Sequence, residues 1–124
     1  MRTVGQQFKS MTVDELTERI SILYRRHERN ARGDIVSTEE LERAKVWAKV
    51  YPRGARRDEQ GVEKKNELEY SITIRFRADV APDDELDWRA RRLKQTAPPL
   101  DVEGRRIWLR LECKEMIADE ASRV

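Results

Sequence analysis

Histidine, cysteine and clustered carboxylates are the side chains that most often carry chemistry, and this chain has one histidine, His27, and one cysteine, Cys113. A Ser-His-Asp or Cys-His arrangement would have to be built around His27. That residue sits among Arg25, Arg26, Arg29 and Arg32, which reads as the solvated end of a strand. Cys113 has no internal disulfide partner and shares a parity with Ile107, Leu109 and Leu111, the pattern of a small core residue. Asp79, Asp83, Asp84, Glu85 and Asp87 gather five carboxylates without the spacing of a calcium loop, so they read as a solvated acidic turn. The five glycines are scattered and form no phosphate loop. The expectation is a non-enzymatic chain with no catalytic residues, no metal and no cofactor.

Length and charge narrow the class. At 124 residues there is room for one core. Charged residues make up 40% of the chain, yet 26 Lys and Arg nearly cancel 24 Asp and Glu, leaving +2. Non-specific nucleic-acid binding needs an uncompensated basic surface, so bulk charge does not argue for it. No apolar run approaches the roughly 18 residues of a membrane span, and MRTVGQQFKSMTVDELTERI has no continuous apolar signal segment. The reading is a soluble, cytoplasmically made protein with no membrane partner.

Positioning is the work of strands. In YSITIRFR, Tyr70, Ile72, Ile74 and Phe76 alternate with Ser71, Thr73, Arg75 and Arg77, the period-2 signature of one dry face. RRIWLRLECKE repeats it, with Ile107, Leu109, Leu111 and Cys113 on the dry parity and Arg106, Trp108, Arg110 and Glu112 on the other. RISILYR supplies an opening strand with Ile20, Ile22 and Tyr24 in phase, followed by a turn at Asn30, Gly33 and Asp34, where Arg32-Gly33-Asp34 reads as a plain turn. A second strand is expected from about Ala44 to Tyr51, ended by Pro52. LDWRA places Leu86, Trp88 and Ala90 on one parity, RRLKQTA reads as a partner strand, and Leu100 to Gly104 reads as a turn. Thr12-Val13-Asp14-Glu15 fits a capping box and suggests a short N-terminal helix.

The expected fold is therefore all-β: a small antiparallel β-barrel of about six short strands, since an open sheet of that size leaves long edges unpaired. One long loop, Arg53 to Glu67, has no apolar cluster. Loops of that length in a compact domain are usually functional or disordered. The division is an N-terminal extension over 1–17, a β-barrel domain over 18–117 and a C-terminal tail over 118–124.

In order along the chain, RISILYR, KVWAKVYPRG, YSITIRFRADV, and LDWRARRL followed by EGRRIWLRLECKE resemble the strands of the phage head-tail adaptor family, the head-completion or stopper proteins of long-tailed phages. Ala90 stands where that family commonly has a turn glycine, and Ala55-Arg56-Arg57 follow Gly54 where an acidic residue is frequent. The resemblance implies a structural protein of the virion, assembled in the bacterial host cytoplasm. It implies a homo-oligomeric ring that is monomeric when isolated, placed between the portal/adaptor ring and the tail proteins. It also implies that the long loop reaches the DNA exit channel, so Arg53, Arg56, Arg57, Lys64 and Lys65 would face packaged double-stranded DNA without sequence specificity.

The outward Arg75, Arg77, Trp108 and Arg110 are the expected subunit-interface residues. The rival reading is a small β-barrel nucleic-acid-binding protein, because Trp47 and Trp108 lie on the charged parities of their strands. A metal-dependent nuclease is a further rival, for which the sequence shows no paired carboxylate motif.

Overall fold

Alternation becomes seven antiparallel strands in the computed structural model of the chain, which describes residues 11–57 and 63–116 and, within them, no side chains over 55–57 and 63–67. The strands are β1 (Glu18–Arg29), β2 (Ile35–Arg57), β3 (Glu63–Arg75), β4 (Glu85–Trp88), β5 (Arg91–Gln95), β6 (Leu100–Asp101) and β7 (Trp108–Glu115). They form one sheet in the order β3-β2-β1-β4-β5-β7-β6, and β3 also pairs with β7, so the ladders run in a ring. The result is the expected all-β, barrel-like sheet. On its second edge β7 pairs with β6 through Arg110 and Leu109 and with β5 from Cys113 to Glu115.

The core lies inside this ring. Ile20 and Ile22 from β1, Ile72 and Ile74 from β3, Leu86 from β4, Leu93 from β5, and Leu109, Leu111 and Cys113 from β7 are all buried. Phe76 packs against them. Two aromatics keep their polar ends satisfied, as buried Tyr and Trp require. The Tyr70 and Trp88 rings meet edge-to-face at 5.4 Å. The Tyr70 hydroxyl donates to Glu115 and the Trp88 indole N–H to Glu18, each at 2.9 Å.

Several expectations need correction. Ile107 is 50% exposed, because Arg106 has a positive φ of 58° and β7 begins only at Trp108. The N-terminal helix is a single 3-10 turn, Val13–Glu15, before the chain enters β1. Glu15 accepts from the Thr12 backbone N–H at 3.0 Å and from Lys49 at 2.7 Å, which ties the turn to β2. These contacts, Lys49 first, hold the Glu15 carboxyl below its ordinary pKa.

β1 and β2 extend well past RISILYR and Ala44. From Arg25 to Glu40 they form a ribbon exposed on both faces. Cross-strand contacts hold it: Arg26 to Glu39 at 2.8 Å, His27 to Thr38 at 2.9 Å and Ser37 to Glu28 at 3.0 Å. The Asn30 side-chain oxygen closes the turn by accepting from the N–H groups of Arg32 and Asp34.

The loop expected over 53–67 is strand at both described ends. β2 continues through Pro52, where the register shifts before Gly54 at φ +89°. That is a bulge, one of the few places a sheet accepts proline. Beyond it Gly54 pairs with Glu69, Ala55 with Leu68 and Arg57 with Glu63, while residues 58–62 lie outside the described part.

Ala90 is not on a strand face. With Arg89 it forms the two-residue turn between β4 and β5, at φ 64° and 52°, and Trp88 pairs with Arg91. Positive φ at both central residues is the type I′ hairpin, which favours glycine. Ala90→Gly should therefore raise stability by about 1 kcal/mol in chemical denaturation; a loss would contradict the turn assignment. Ile74→Ala should cost about 2–5 kcal/mol by opening a core cavity, against about 0.5 kcal/mol for Thr73→Ala on the outer face. Equal losses at the two positions would contradict the facing of β3.

Candidate interaction surfaces

The acidic turn is where the structure departs most from expectation. Asp84 is only 1% exposed and Glu85 9%, so neither is a solvated carboxylate. Arg43 of β2 grips Asp84 with two donors, at 2.6 and 3.0 Å, while its guanidinium lies 4.4 Å from the Tyr24 ring centroid. The second Asp84 contact is the backbone N–H of Ala81, at 3.0 Å. Gln95 on β5 donates to the carbonyls of Ala81 and Asp84, both at 2.9 Å. The hydrogen bond to Asp84 raises the Arg43 pKa above its ordinary value.

Beside this pair, Arg92 donates to Glu40 at 2.7 and 3.0 Å and to Glu85 at 2.9 Å. Together these contacts fasten the β3–β4 connection onto β1, β2 and β5. Asp79 stays outside the cluster on Arg77, whose two donors at 3.0 and 2.9 Å lower the Asp79 pKa. Among the described residues no group of three or more His, Cys, Asp or Glu side chains is placed to hold a metal ion. Burial pushes the Cys113 thiol up to about 12. It is therefore a core residue that stays protonated at neutral pH.

Three of the four predicted interface residues come together. Arg75 lies opposite Trp108 and Thr73 opposite Arg110 across β3 and β7, on the face away from the core. Arg75 is exposed, and Trp108 and Arg110 are half-buried. Arg77 lies beyond the end of β3, held by Asp79.

Of the predicted channel residues, Arg53 is tied back to the sheet: it donates to Glu112 at 2.9 Å, and Glu112 also accepts from Ser71 at 3.1 Å. The backbones of Arg56 and Arg57 close β2, and those of Lys64 and Lys65 lie in β3, so the four share the far end of one ribbon. Their side chains are outside the described part.

Sequence reasoning missed one feature on this side of the sheet. Arg19 pairs in register with Trp47, its guanidinium 4.9 Å from the indole centroid, and Trp47 is 52% exposed. The charged parity of Trp47 was the available signal, but only the register shows that an arginine lies over it.

Fold and surfaces define a small all-β protein whose accessible charged and aromatic groups lie on outer faces and ribbons. A family model described as phage head completion protein matches residues 11–116, and the chain belongs to that family. Its role is structural, joining head and tail within the virion. No curated protein matches the sequence significantly.

Among solved structures, the solution structure of protein SF1141 from Shigella flexneri 2a superposes with a TM-score of 0.62 at 22% identity, over 87% of this chain and 99% of that one. A chain of the virion of a native gene transfer agent particle superposes with a TM-score of 0.61 at 16% identity, over 83% of this chain and 97% of its own length. At these identities the likeness is one of fold.

The Arg43–Asp84 pair makes a direct test of the buried cluster. Arg43→Met alone should cost about 3 kcal/mol by stranding a buried carboxylate, whereas Arg43→Met with Asp84→Leu should cost much less. Urea denaturation of the three proteins reads the difference, and an equal or larger loss in the double variant would contradict it.

Proposed function

We propose that this chain is a ring subunit placed between the portal/adaptor complex and the tail of a phage or phage-derived particle. There it closes the DNA exit channel without catalysing a reaction. The observation that carries this reading is the family match, which spans nearly the whole described chain. The fold is suited to the task. A closed set of ladders gives a rigid body, and two ribbons, one from β1–β2 and one from β2–β3, extend from it to meet neighbours.

The subunit is a monomer in isolation, is made in the host cytoplasm and closes its ring on the portal complex. Arg75, Trp108 and Arg110 supply a subunit contact on the outer face of β3 and β7, with Arg77 at its margin. The β2–β3 ribbon turns toward the channel. Around the ring axis, Arg53, Arg56, Arg57, Lys64 and Lys65 of each copy repeat; against Asp58, Glu59, Glu63 and Glu67 they leave one positive charge per subunit, which repetition turns into a collar facing phosphate. Arg53 stands at the root of that ribbon and braces it through Glu112.

Among the described residues, changing Arg53, Arg56 and Arg57 together to Ser removes the exposed Arg53–Glu112 ion pair, a loss of no more than about 1 kcal/mol. The isolated domain should melt nearly unchanged. Particles carrying the variant should leak packaged DNA or fail to join tails, scored by nuclease-resistant DNA and electron microscopy. Normal DNA retention and tail joining would contradict the channel role of the ribbon.

A further inference from the structure

An open groove of about 580 Å³ lies between the 3-10 turn Val13–Glu15, β2 and the end of β3. Leu16 and Phe76 contribute its apolar lining, and Trp47 stands at its side with half its surface uncovered. The charged residues that line it are all cations: Arg19, Lys45, Arg75 and Arg77. Among the described residues, only Arg77 of these four has an ion pair, with Asp79. Elsewhere among the described residues many cations reach a carboxylate, as at Arg25, Arg43, Arg89 and Arg92, and those that do not, such as Arg29 and Arg32, stand on exposed ribbons and turns with no groove beside them. Uncompensated positive charge and uncovered apolar surface therefore coincide here.

We infer that this groove is a docking site for an extended acidic segment of another protein chain, one that inserts a large apolar side chain between carboxylates. The apolar side chain would pack on Trp47 and Phe76, and flanking carboxylates would meet Arg19 and Lys45. Charge decides among the other occupants. Residues 1–10 of this chain carry Arg2 and Lys9 and no acid, so they have the wrong sign.

A second copy could offer exposed Ile35 and Val36, Leu68 or Leu100, but each sits on a charge-balanced stretch: Arg25, Arg26, Arg29 and Arg32 against Glu28, Asp34, Glu39 and Glu40; five cations against five acids over 53–69; Asp101 and Glu103 beside Arg105 and Arg106. Self-association is therefore the competing occupant that the test separates. Single-stranded nucleic acid needs open aromatic faces for successive bases. Here Trp47 is the single exposed aromatic of the groove and Phe76 is half-buried, so no row of faces is on offer. The inference rests on the proposed function only for the source of the segment, an adjoining protein of the particle.

Fluorescence anisotropy with the full-length chain tests it, using a labelled synthetic peptide in which leucine and phenylalanine stand between pairs of aspartates. Three probes accompany it: the same peptide with lysine for aspartate, the same peptide with serine for leucine and phenylalanine, and a short oligothymidylate. Only the acidic apolar peptide should bind saturably. Arg19→Glu with Lys45→Glu, and separately Trp47→Ser, should each weaken it by about tenfold or more while circular dichroism keeps its all-β form and unfolding stays cooperative.

Absence of saturable binding would overturn the inference, as would equal binding of the serine peptide or tighter binding of the oligothymidylate. Self-association that depends on Trp47 and that the acidic peptide does not compete would overturn it too, by making a second copy the occupant. Because the probes are synthetic and no particle is involved, failure here leaves the head–tail role, which rests on family membership, untouched.

Discussion

The ladder between β3 and β7, running from Glu69 opposite Lys114 to Arg75 opposite Trp108, joins what would otherwise be the two ends of the sheet. Its two strands are the most strictly alternating in the molecule, and their inner residues Ile72, Ile74, Leu109 and Leu111 are all within 4% of full burial. A flat sheet of these strands would expose one apolar face and two open edges. Pairing β3 with β7 removes both liabilities together, since the inner faces then enclose one another. The short β4 and β5 complete the ring back to β1, with few residues to spare. Loss of packing at the β3–β7 seam would be felt on every strand.

Closure also explains why the rest of the chain is free to be polar. Once the ring of ladders holds the core, β1 and β2 can run on past it as a ribbon from Arg25 to Glu40 that buries nothing. A two-stranded ribbon alone is marginal in water, so this one depends on its root in the sheet and on its cross-strand side-chain contacts. The Arg43–Asp84 pair works differently, because it is desolvated. It fixes the connection between β3 and β4 against β2, which sets where the closing hairpin begins. A joint between a filled head and a tail asks for this combination, a body that does not deform and extensions that can meet several neighbours.

How much of this was legible in the sequence follows from contrast between faces. Where one face is dry and the other charged, as from Tyr70 to Arg75 and from Leu109 to Cys113, period 2 stands out and the strands were readable. Where both faces are wet, as in the two ribbons, strand and loop look alike in composition, and Arg53 to Glu67 reads as a loop. Asp84 reads as solvated because its partner, Arg43, is 41 residues away, and no local pattern announces a buried pair. Ile107 falls in phase with the β7 alternation but precedes Trp108, where the strand begins, next to the positive φ of Arg106. Of the candidate interface residues, the types and outward parity were readable, but the adjacency of Arg75 to Trp108 depends on register. The stacking of Arg19 on Trp47 depends on it as well.

The role of this chain is to join heads to tails. In vitro complementation tests it most directly: heads filled with DNA, prepared from cells that lack the chain, are mixed with tails in the presence or absence of the purified protein and counted by electron microscopy. Tailed particles should appear only when the protein is added, in proportion to the amount that sediments with the heads, and those heads should keep their DNA. Tails joining equally well without the protein, or a protein that never associates with heads, would contradict it.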